Sequence, residues 1–209
     1  MFSLVAPSRL TAAYDKASGR WHDRLTALGF VAAYHALAEE GVQQGGRAAA
    51  VLDAGCGTGG LSEAWVTKGG LARGGRLDLL DPSERMLEHA SRRLAGSAPR
   101  AIAGGIGSAA LQENCYDVVL CAHVIEHLDD PFESLSWLRA RLRPGGRMIL
   151  VVSQPHWCTA LVRLRWGSKA WKPQEVLGML GEVGFRGAQV KRFAAGPPSR
   201  LSCGYLVQN

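Results

Sequence analysis

The feature that most constrains the fold is a glycine-rich turn directly after a short apolar run. Residues 51–60 are Val-Leu-Asp-Ala-Gly-Cys-Gly-Thr-Gly-Gly, and an amphipathic stretch follows with Leu61, Ala64 and Trp65 on one face. This pattern predicts a strand, a tight loop and a helix. Glycines allow positive φ angles and close approach of a ligand, and a helix N-terminus offers unpaired N–H groups to an anion. The sequence therefore predicts a small-cofactor site at this turn.

One alternative for that site is a dinucleotide, because Gly55, Gly57 and Gly60 fit the spacing of the dinucleotide-binding fingerprint. Two features count against NAD. Asp53 lies two residues before the first glycine, where dinucleotide-binding folds usually continue the apolar strand. A helical pattern over residues 28–37 also precedes the strand, so the loop does not open the chain. An NAD-binding oxidoreductase is kept as an alternative of a different class.

Three further segments follow the glycine-rich turn in order. Residues 77–81, Leu-Asp-Leu-Leu-Asp, predict a second strand that ends in a carboxylate. Residues 116–128 hold an apolar strand followed by His-Val-Ile-Glu-His-Leu, and residues 142–150 hold Arg-Pro-Gly-Gly before another apolar run. Strands that alternate with helical patterns predict a parallel α/β sheet.

The pattern Leu-Asp-x-Gly-x-Gly-x-Gly of residues 52–59 resembles motif I of the class I S-adenosylmethionine (SAM)-dependent methyltransferases, and the other segments resemble later motifs of that family. The resemblance implies an α/β fold: a Rossmann-like, doubly wound, mostly parallel seven-stranded sheet with helices on both faces and an antiparallel C-terminal edge strand. It implies a single methyltransferase domain over residues 1–209, with an N-terminal helical cap at 1–46, a SAM-binding core at 48–153 and a substrate-side insertion at 154–172. The branch that it resembles most methylates small molecules such as quinones and lipid headgroups.

The resemblance also implies which residues contact SAM. Asp53 would orient the loop and the cofactor ammonium, and Asp81 would accept both ribose hydroxyls. The family often has Gly-Asp after the third strand, where the acid meets the adenine amino group, but this chain has Gly104-Gly105 there. The full set of implied cofactor contacts is Asp53, Gly55, Cys56, Gly57, Gly59, Asp81, Pro82, Met86, Gly105, Ile106, Cys121 and His123.

Two histidines are the candidate catalytic residues, His123 after the fourth strand and His156 after the fifth. Methyl transfer is an in-line displacement, and holding the nucleophile in line supplies much of its catalysis. A base is needed only for an acceptor that arrives protonated, and neutral imidazole is available near pH 7. The alternative for each histidine is a non-catalytic role. Three tryptophans could form an aromatic wall for the acceptor or the core of a lid: Trp157, Trp166 and Trp171.

Composition narrows the class of protein further. The net charge of +6 fits a solvated surface, or else an acidic acceptor, an anionic membrane surface or RNA, although no RNA-binding module is visible. The five cysteines form no CxxC or Cys/His cluster, so neither a zinc site nor a disulfide framework is predicted. With no long apolar run and no signal-peptide pattern, we expect no membrane span, although peripheral membrane contact is possible, and a cytoplasmic location.

The methyl acceptor is left open by the sequence. We expect a small molecule that is methylated at oxygen, carbon or nitrogen, with an aromatic, an amphiphilic or an acidic compound as the open alternatives, and no nucleic acid. A protein or RNA methyltransferase is one alternative, although the chain lacks the Asn-Pro-Pro-Tyr and Asp-Pro-Pro-Tyr tetrapeptides that mark methylation of amino groups on bases or glutamine. A non-catalytic SAM-binding or scaffold protein is another, because the acidic adenine contact is missing. Nothing in the sequence indicates an oligomeric state.

Overall fold

A computed structural model describes residues 9–107, 111–156 and 169–209. The helices in these ranges are α1 (Arg9–Ala27), α2 (Phe30–Gly45), α3 (Gly60–Thr67), α4 (Glu84–Arg93), α5 (Pro131–Arg141), α6 (Pro173–Glu182) and α7 (Gly196–Leu201). The strands are β1 (Ala48–Ala54), β2 (Leu71–Asp81), β3 (Arg100–Ala103), β4 (Tyr116–Ala122), β5 (Leu142–Ser153), β6 (Arg186–Arg192) and β7 (Ser202–Gln208). None of these helices is long and apolar enough to cross a membrane.

The seven strands form one sheet in the order β3-β2-β1-β4-β5-β7-β6. The strands β1 to β5 pair in parallel, whereas β7 is antiparallel to both β5 and β6. The predicted Rossmann-like sheet, with its antiparallel C-terminal pairing at one edge, is therefore confirmed. Strand order reverses between β1 and β4, and in open α/β sheets ligands bind outside the carboxyl ends of the strands at such a point.

The core lies on both faces of this sheet because alternate residues of each strand point to opposite sides. In β4, Val118 and Leu120 pack in the layer under α2, α3 and α4, whereas Val119 and Cys121 pack in the layer under α5 and α6. The central strands are thus buried on both faces, as is usual for parallel sheets. Because packing on both faces fixes these strands, polar side chains at their carboxyl ends are held in fixed positions.

Asp-Pro at residues 81–82 and 130–131 is a sequence signature of a helix start, with Asp as the N-cap and Pro in the first turn, and it predicts that Asp81 and Asp130 cap α4 and α5. Asp130 caps α5 as predicted, because its carboxylate accepts from the backbone N–H groups of Phe132 and Glu133 at 2.8 and 3.1 Å. Asp81 was the wrong choice for the cap of α4. It remains the last residue of β2, and Ser83 caps the helix instead, its hydroxyl accepting from the N–H of Met86 at 3.1 Å.

The Gly-Pro-Pro sequence at residues 196–198 predicts a hairpin between the last two strands, which would match the antiparallel edge of the family that the chain resembles. The structure differs, because the short helix α7 joins β6 to β7, with prolines in its first turn. Of the predicted insertion at 154–172, residues 157–168 lie outside the described part of the chain, and so do Trp157 and Trp166. Trp171 is described, and it packs against the core layer under α5 and α6. Its N–H donates to Ser153 O at 3.2 Å.

Candidate active site

The glycine-rich turn after β1 adopts the backbone that its sequence predicts. Gly55, Gly57 and Gly59 have φ angles of +73°, +51° and +80°, which side-chain-bearing residues rarely adopt. A Cβ on Gly55 would lie 2.3 Å from a methyl group of Val124, whereas a Cβ on Gly57 would meet nothing within 4 Å. The turn is tied to β2, since the N–H of Gly55 donates to Leu80 O at 2.7 Å. Space is therefore open directly above Gly57.

Asp81 joins the turn to the start of α4. One carboxylate oxygen accepts from the N–H of Gly57 at 2.8 Å, and the other accepts from the N–H of Ser83 at 2.9 Å. Burial raises the pKa of Asp81, although these two backbone hydrogen bonds oppose the rise, and nearby Asp15 adds to it. Each carboxylate oxygen can accept a further hydrogen bond. The group is thus placed to receive a pair of hydroxyls at the switch point of the sheet.

Asp53 is a second buried carboxylate at this point, and only 1% of its surface is exposed. It accepts a hydrogen bond of 2.6 Å from the Ser62 hydroxyl. Burial raises its pKa to about 7, the Ser62 hydrogen bond opposes the rise, and the charge of Asp81 adds to it. A cation bound beside Asp53 would favour its ionised form.

The helix α1 reaches the start of α4 beside Asp81. The Ser83 hydroxyl donates a short hydrogen bond to the Asp15 carboxylate. Met86, in the first turn of α4, is only 2% exposed. Arg93 of α4 holds α1 in turn, because its guanidinium contacts a ring nitrogen of His22 at 3.0 Å and Glu63 at 3.3 Å. Asp15 and Arg93 are not among the predicted site residues, because no sequence motif indicates where α1 docks.

His123 lies at the end of β4 in the left-handed region, with φ +57°, which is uncommon for a residue with a side chain. Its Nδ1 atom lies 3.3 Å from a carboxylate oxygen of Glu126 and 3.1 Å from the Ser153 hydroxyl. The ring of Phe30 meets the imidazole edge-on, with centroids 5.3 Å apart, and Tyr34 lies at 6.5 Å. The helix α2 therefore forms an aromatic wall beside His123.

Glu126 was not named as a site residue, although it belongs to the Glu-His-Leu segment. It is 1% exposed, and its Oε1 accepts from the N–H of Ser153 at 2.7 Å. Burial alone would raise its pKa, but the hydrogen bond and positive charge of His123, together with the Ser153 N–H, bring the pKa below its usual value. Glu126 is thus a buried carboxyl group held beside His123 and the backbone N–H of Ser153.

The remaining predicted residues differ in how well they face the open end of the sheet. The thiol of Cys121 is fully buried in the core layer under α5 and α6, so its side chain does not face the turn. The Cys56 thiol is also buried, and it donates to Gly57 O at 3.5 Å. Gly105 is exposed, and Ile106 packs partly against the core.

Pro82, one of the predicted cofactor contacts, is exposed beside Asp81. His156 is half-buried where the described range 111–156 ends. In the described ranges, no three His, Cys, Asp or Glu side chains are arranged to hold a metal ion.

Comparison with known proteins agrees with this geometry. Residues 52–148 match the family described as a methyltransferase domain. The ubiquinone biosynthesis O-methyltransferase of Leptothrix cholodnii is 36% identical over 104 residues, which are 48% of this chain and 42% of that protein. The chain spans less than half the length of the curated relatives that it matches.

Two solved structures share the fold over almost the whole chain. The N-methyltransferase NodS of Bradyrhizobium japonicum, solved with S-adenosylhomocysteine (SAH), has a TM-score of 0.72 at 19% identity, covering 97% of this chain and 99% of that one. The 1,6-didemethyltoxoflavin-N1-methyltransferase of Burkholderia thailandensis has a TM-score of 0.70 at 19% identity, covering 100% and 92%. At such identity the likeness establishes the fold alone.

Proposed function

Because residues 52–148 match the family described as a methyltransferase domain, we propose that this chain transfers a methyl group from SAM to a small-molecule acceptor at oxygen, carbon or nitrogen. The observation that carries the proposal is the position of Asp81. Its two carboxylate oxygens bridge the glycine-rich turn and the start of α4 through Gly57 and Ser83. This is the place for a ribose diol beside a turn that leaves room for a ligand.

We propose that the described residues hold each part of SAM. Asp81 would accept the ribose hydroxyls, and Asp53 would face the ammonium group, directly or through water. The backbone of Gly55, Cys56, Gly57 and Gly59 would approach the amino-acid end, where a Cβ on Gly57 would meet nothing within 4 Å. Pro82, Met86, Gly105 and Ile106 would border the adenine, and the strand end at Cys121 and His123 would border the sulfonium. When bound, SAM supplies a methyl group on a positively charged sulfur.

The proposal extends to the acceptor only as a chemical class. Relatives include an enzyme named for O-methylation in ubiquinone biosynthesis and a fold neighbour named for N-methylation of didemethyltoxoflavin. Both names fit a small-molecule acceptor. His123 and His156 are the proposed catalytic residues, each as a base for an acceptor that carries a proton. A cytoplasmic location is proposed as well, and it fits the free thiols of Cys56, Cys115, Cys121 and Cys203.

The test is calorimetric titration with SAM, SAH and NAD. We expect micromolar binding of SAM and SAH to the wild type, and binding weakened about ten- to a hundredfold in Asp81→Asn, because a hydrogen bond to a charged group contributes about 1.5–3 kcal/mol. Glu88→Gln on the exposed face of α4 is the matched control and should bind like the wild type.

Two results would contradict the proposal in different ways. Binding of NAD instead of SAM by a well-folded protein would favour the oxidoreductase alternative. Binding of SAM with no SAH release in the presence of phenol, catechol, amine and carboxylate acceptors would favour a non-catalytic SAM-binding protein. Thermal unfolding of Asp81→Asn must accompany both measurements, since Asp81 also holds the backbone of Gly57 and Ser83.

A further inference from the structure

We propose that Glu126 is a positioning residue that fixes the imidazole of His123 with Nε2 bare, so that this atom can take the proton of a hydroxyl group on the methyl acceptor. The inference rests on the proposed function and narrows it, because it assigns the acceptor class and selects His123 over His156 as the base. It is carried by hydrogen bonding, burial and backbone geometry around these side chains.

The first step concerns which ring nitrogen carries the proton. Glu126 is buried and accepts from the N–H of Ser153 with the same oxygen that lies 3.3 Å from Nδ1 of His123. An ionised carboxylate can only accept hydrogen bonds. The Ser153 hydroxyl, 3.1 Å from Nδ1, can either donate or accept, so it does not decide the tautomer. A carboxylate oxygen facing Nδ1 favours a proton on that atom, because two lone pairs would otherwise face each other, and we therefore place the proton of a neutral His123 on Nδ1 and the lone pair on Nε2. A carboxylate that orients a histidine in this way is a recurring arrangement at sites of proton transfer.

Two polar atoms at this site, Nε2 of His123 and Oε2 of Glu126, are shielded from solvent and have no hydrogen-bond partner among the described residues. Leaving such atoms unpaired costs about 1–3 kcal/mol each, so each needs an explanation. His123 directly follows β4, and Glu126 lies in the three-residue helical turn Ile125–His127 that comes next, at the end of the sheet where a ligand would lie. A hydroxyl donor would satisfy Nε2.

A further step is the backbone of His123, which has a φ of +57° while its N–H donates to Val151 O at 2.9 Å. A non-glycine residue in this region costs on the order of 1 kcal/mol and is found where surrounding structure enforces it, often at functional sites. The aromatic rings of Phe30 and Tyr34 have their centroids 5.3 and 6.5 Å from that of the imidazole. Because a charged group costs more to bury beside such rings than an uncharged one, we infer a neutral hydroxyl, such as a phenol, as the donor to Nε2.

The reaction balances with these residues. The acceptor oxygen forms its bond to the methyl carbon with a lone pair, and the carbon–sulfur bond breaks with its electron pair left on sulfur. The hydroxyl proton moves to Nε2 of His123. The resulting imidazolium is paired with the Glu126 carboxylate until the proton leaves to solvent.

The test is the tautomeric state of His123, measured by long-range 1H–15N spectra of labelled protein at pH 8 with SAH added. The His123→Asn spectrum identifies the resonance among the six histidines. We expect the wild type to show Nδ1 protonated and Nε2 bare, Glu126→Gln to show both tautomers, and Ser153→Ala to remain like the wild type. Phenol at millimolar concentration should shift the Nε2 resonance in the wild type and lose that effect in Glu126→Gln.

Several outcomes would overturn the inference. A wild-type His123 with its proton on Nε2 would refute it without any variant, so it stays testable if Glu126→Gln fails to fold. A tautomer that changes in Ser153→Ala but not in Glu126→Gln would assign the positioning role to the serine. No response of Nε2 to phenol would refute the hydroxyl acceptor. The proposed function is tested separately by calorimetric binding of SAH, because the tautomer of His123 can also be measured in the ligand-free wild type.

Discussion

Replacing Asp53 by asparagine should stabilise the folded protein, and the gain should be larger at pH 8 than at pH 5. Asp53 is fully enclosed, and burial raises its pKa from 3.8 to about 7, partly opposed by the Ser62 hydroxyl. Asparagine has nearly the same shape and can still accept the Ser62 hydrogen bond through its side-chain oxygen. The substitution therefore removes the ionisable group and little else.

The magnitude follows from the difference in pKa between the folded and unfolded states. Below about pH 4 the Asp53 carboxyl is protonated in both states and has no effect on pH dependence. Between about pH 4 and 7 the unfolded chain releases the proton while the folded protein keeps it, so the folded state loses stability as the pH rises. The cost is roughly 1.5 kcal/mol at pH 5 and about 4 kcal/mol above pH 7.

Urea unfolding of the wild type and Asp53→Asn at both pH values tests this reasoning. We expect the difference in free energy of unfolding between the two proteins to grow by about 2–3 kcal/mol from pH 5 to pH 8. Glu182→Gln, which removes an exposed carboxylate, should show no such growth. An equal difference at the two pH values, or a larger one at pH 5, would show that Asp53 is not held protonated in the folded protein.

Three further predictions concern the cofactor side of the site. SAM binding at pH 6 should release up to about one proton from Asp53, because a cation beside this carboxyl favours its ionised form. The release is measured as a heat of binding that depends on the buffer, and an unchanged release in Asp53→Asn would contradict the prediction. Gly105→Asp should tighten SAH binding about tenfold and Gly105→Ala should not, because a Cβ there meets nothing within 4 Å and the acid restores a charged partner for the adenine amino group. Gly55→Ala should lower the free energy of unfolding by about 2 kcal/mol or more in urea unfolding, whereas Gly57→Ala should cost about 1 kcal/mol, because only the first adds a clash with Val124 to the positive φ.

The parts of the fold that sequence could predict are those set by local chemistry. The turn with Gly55, Gly57 and Gly59 was predictable because the positive φ angles there select glycine. Asp130 was predictable as a cap because the hydrogen-bond donors to its carboxylate, the N–H groups of Phe132 and Glu133, are adjacent in sequence. Asp81 had the same local signature, but the N–H of Gly57, 24 residues away in sequence, takes one of its oxygens and leaves the cap to Ser83.

The parts that sequence could not predict depend on contacts between distant segments. Glu126 gains its role only because Ser153, at the end of β5, donates to it and because α2 presses Phe30 against His123. Asp15 reaches Ser83 across 68 residues of sequence, on a helix whose docking no motif specifies. Periodicity predicts that a helix exists, but its placement over the sheet is decided by packing.

The two buried acids at the switch point are hard to explain by stability alone. With the pKa of about 7 that burial and the charge of Asp81 give it, Asp53 should weaken the folded state by about 4 kcal/mol above pH 7. A neutral side chain at position 53 would make a more stable protein, so the carboxyl is better explained by a ligand than by the fold. A ligand with an ammonium group would neutralise Asp53 and return part of that free energy to binding. The cost of keeping Asp53 in the free protein and the affinity for a cationic cofactor are, under the proposed function, two measurements of one interaction.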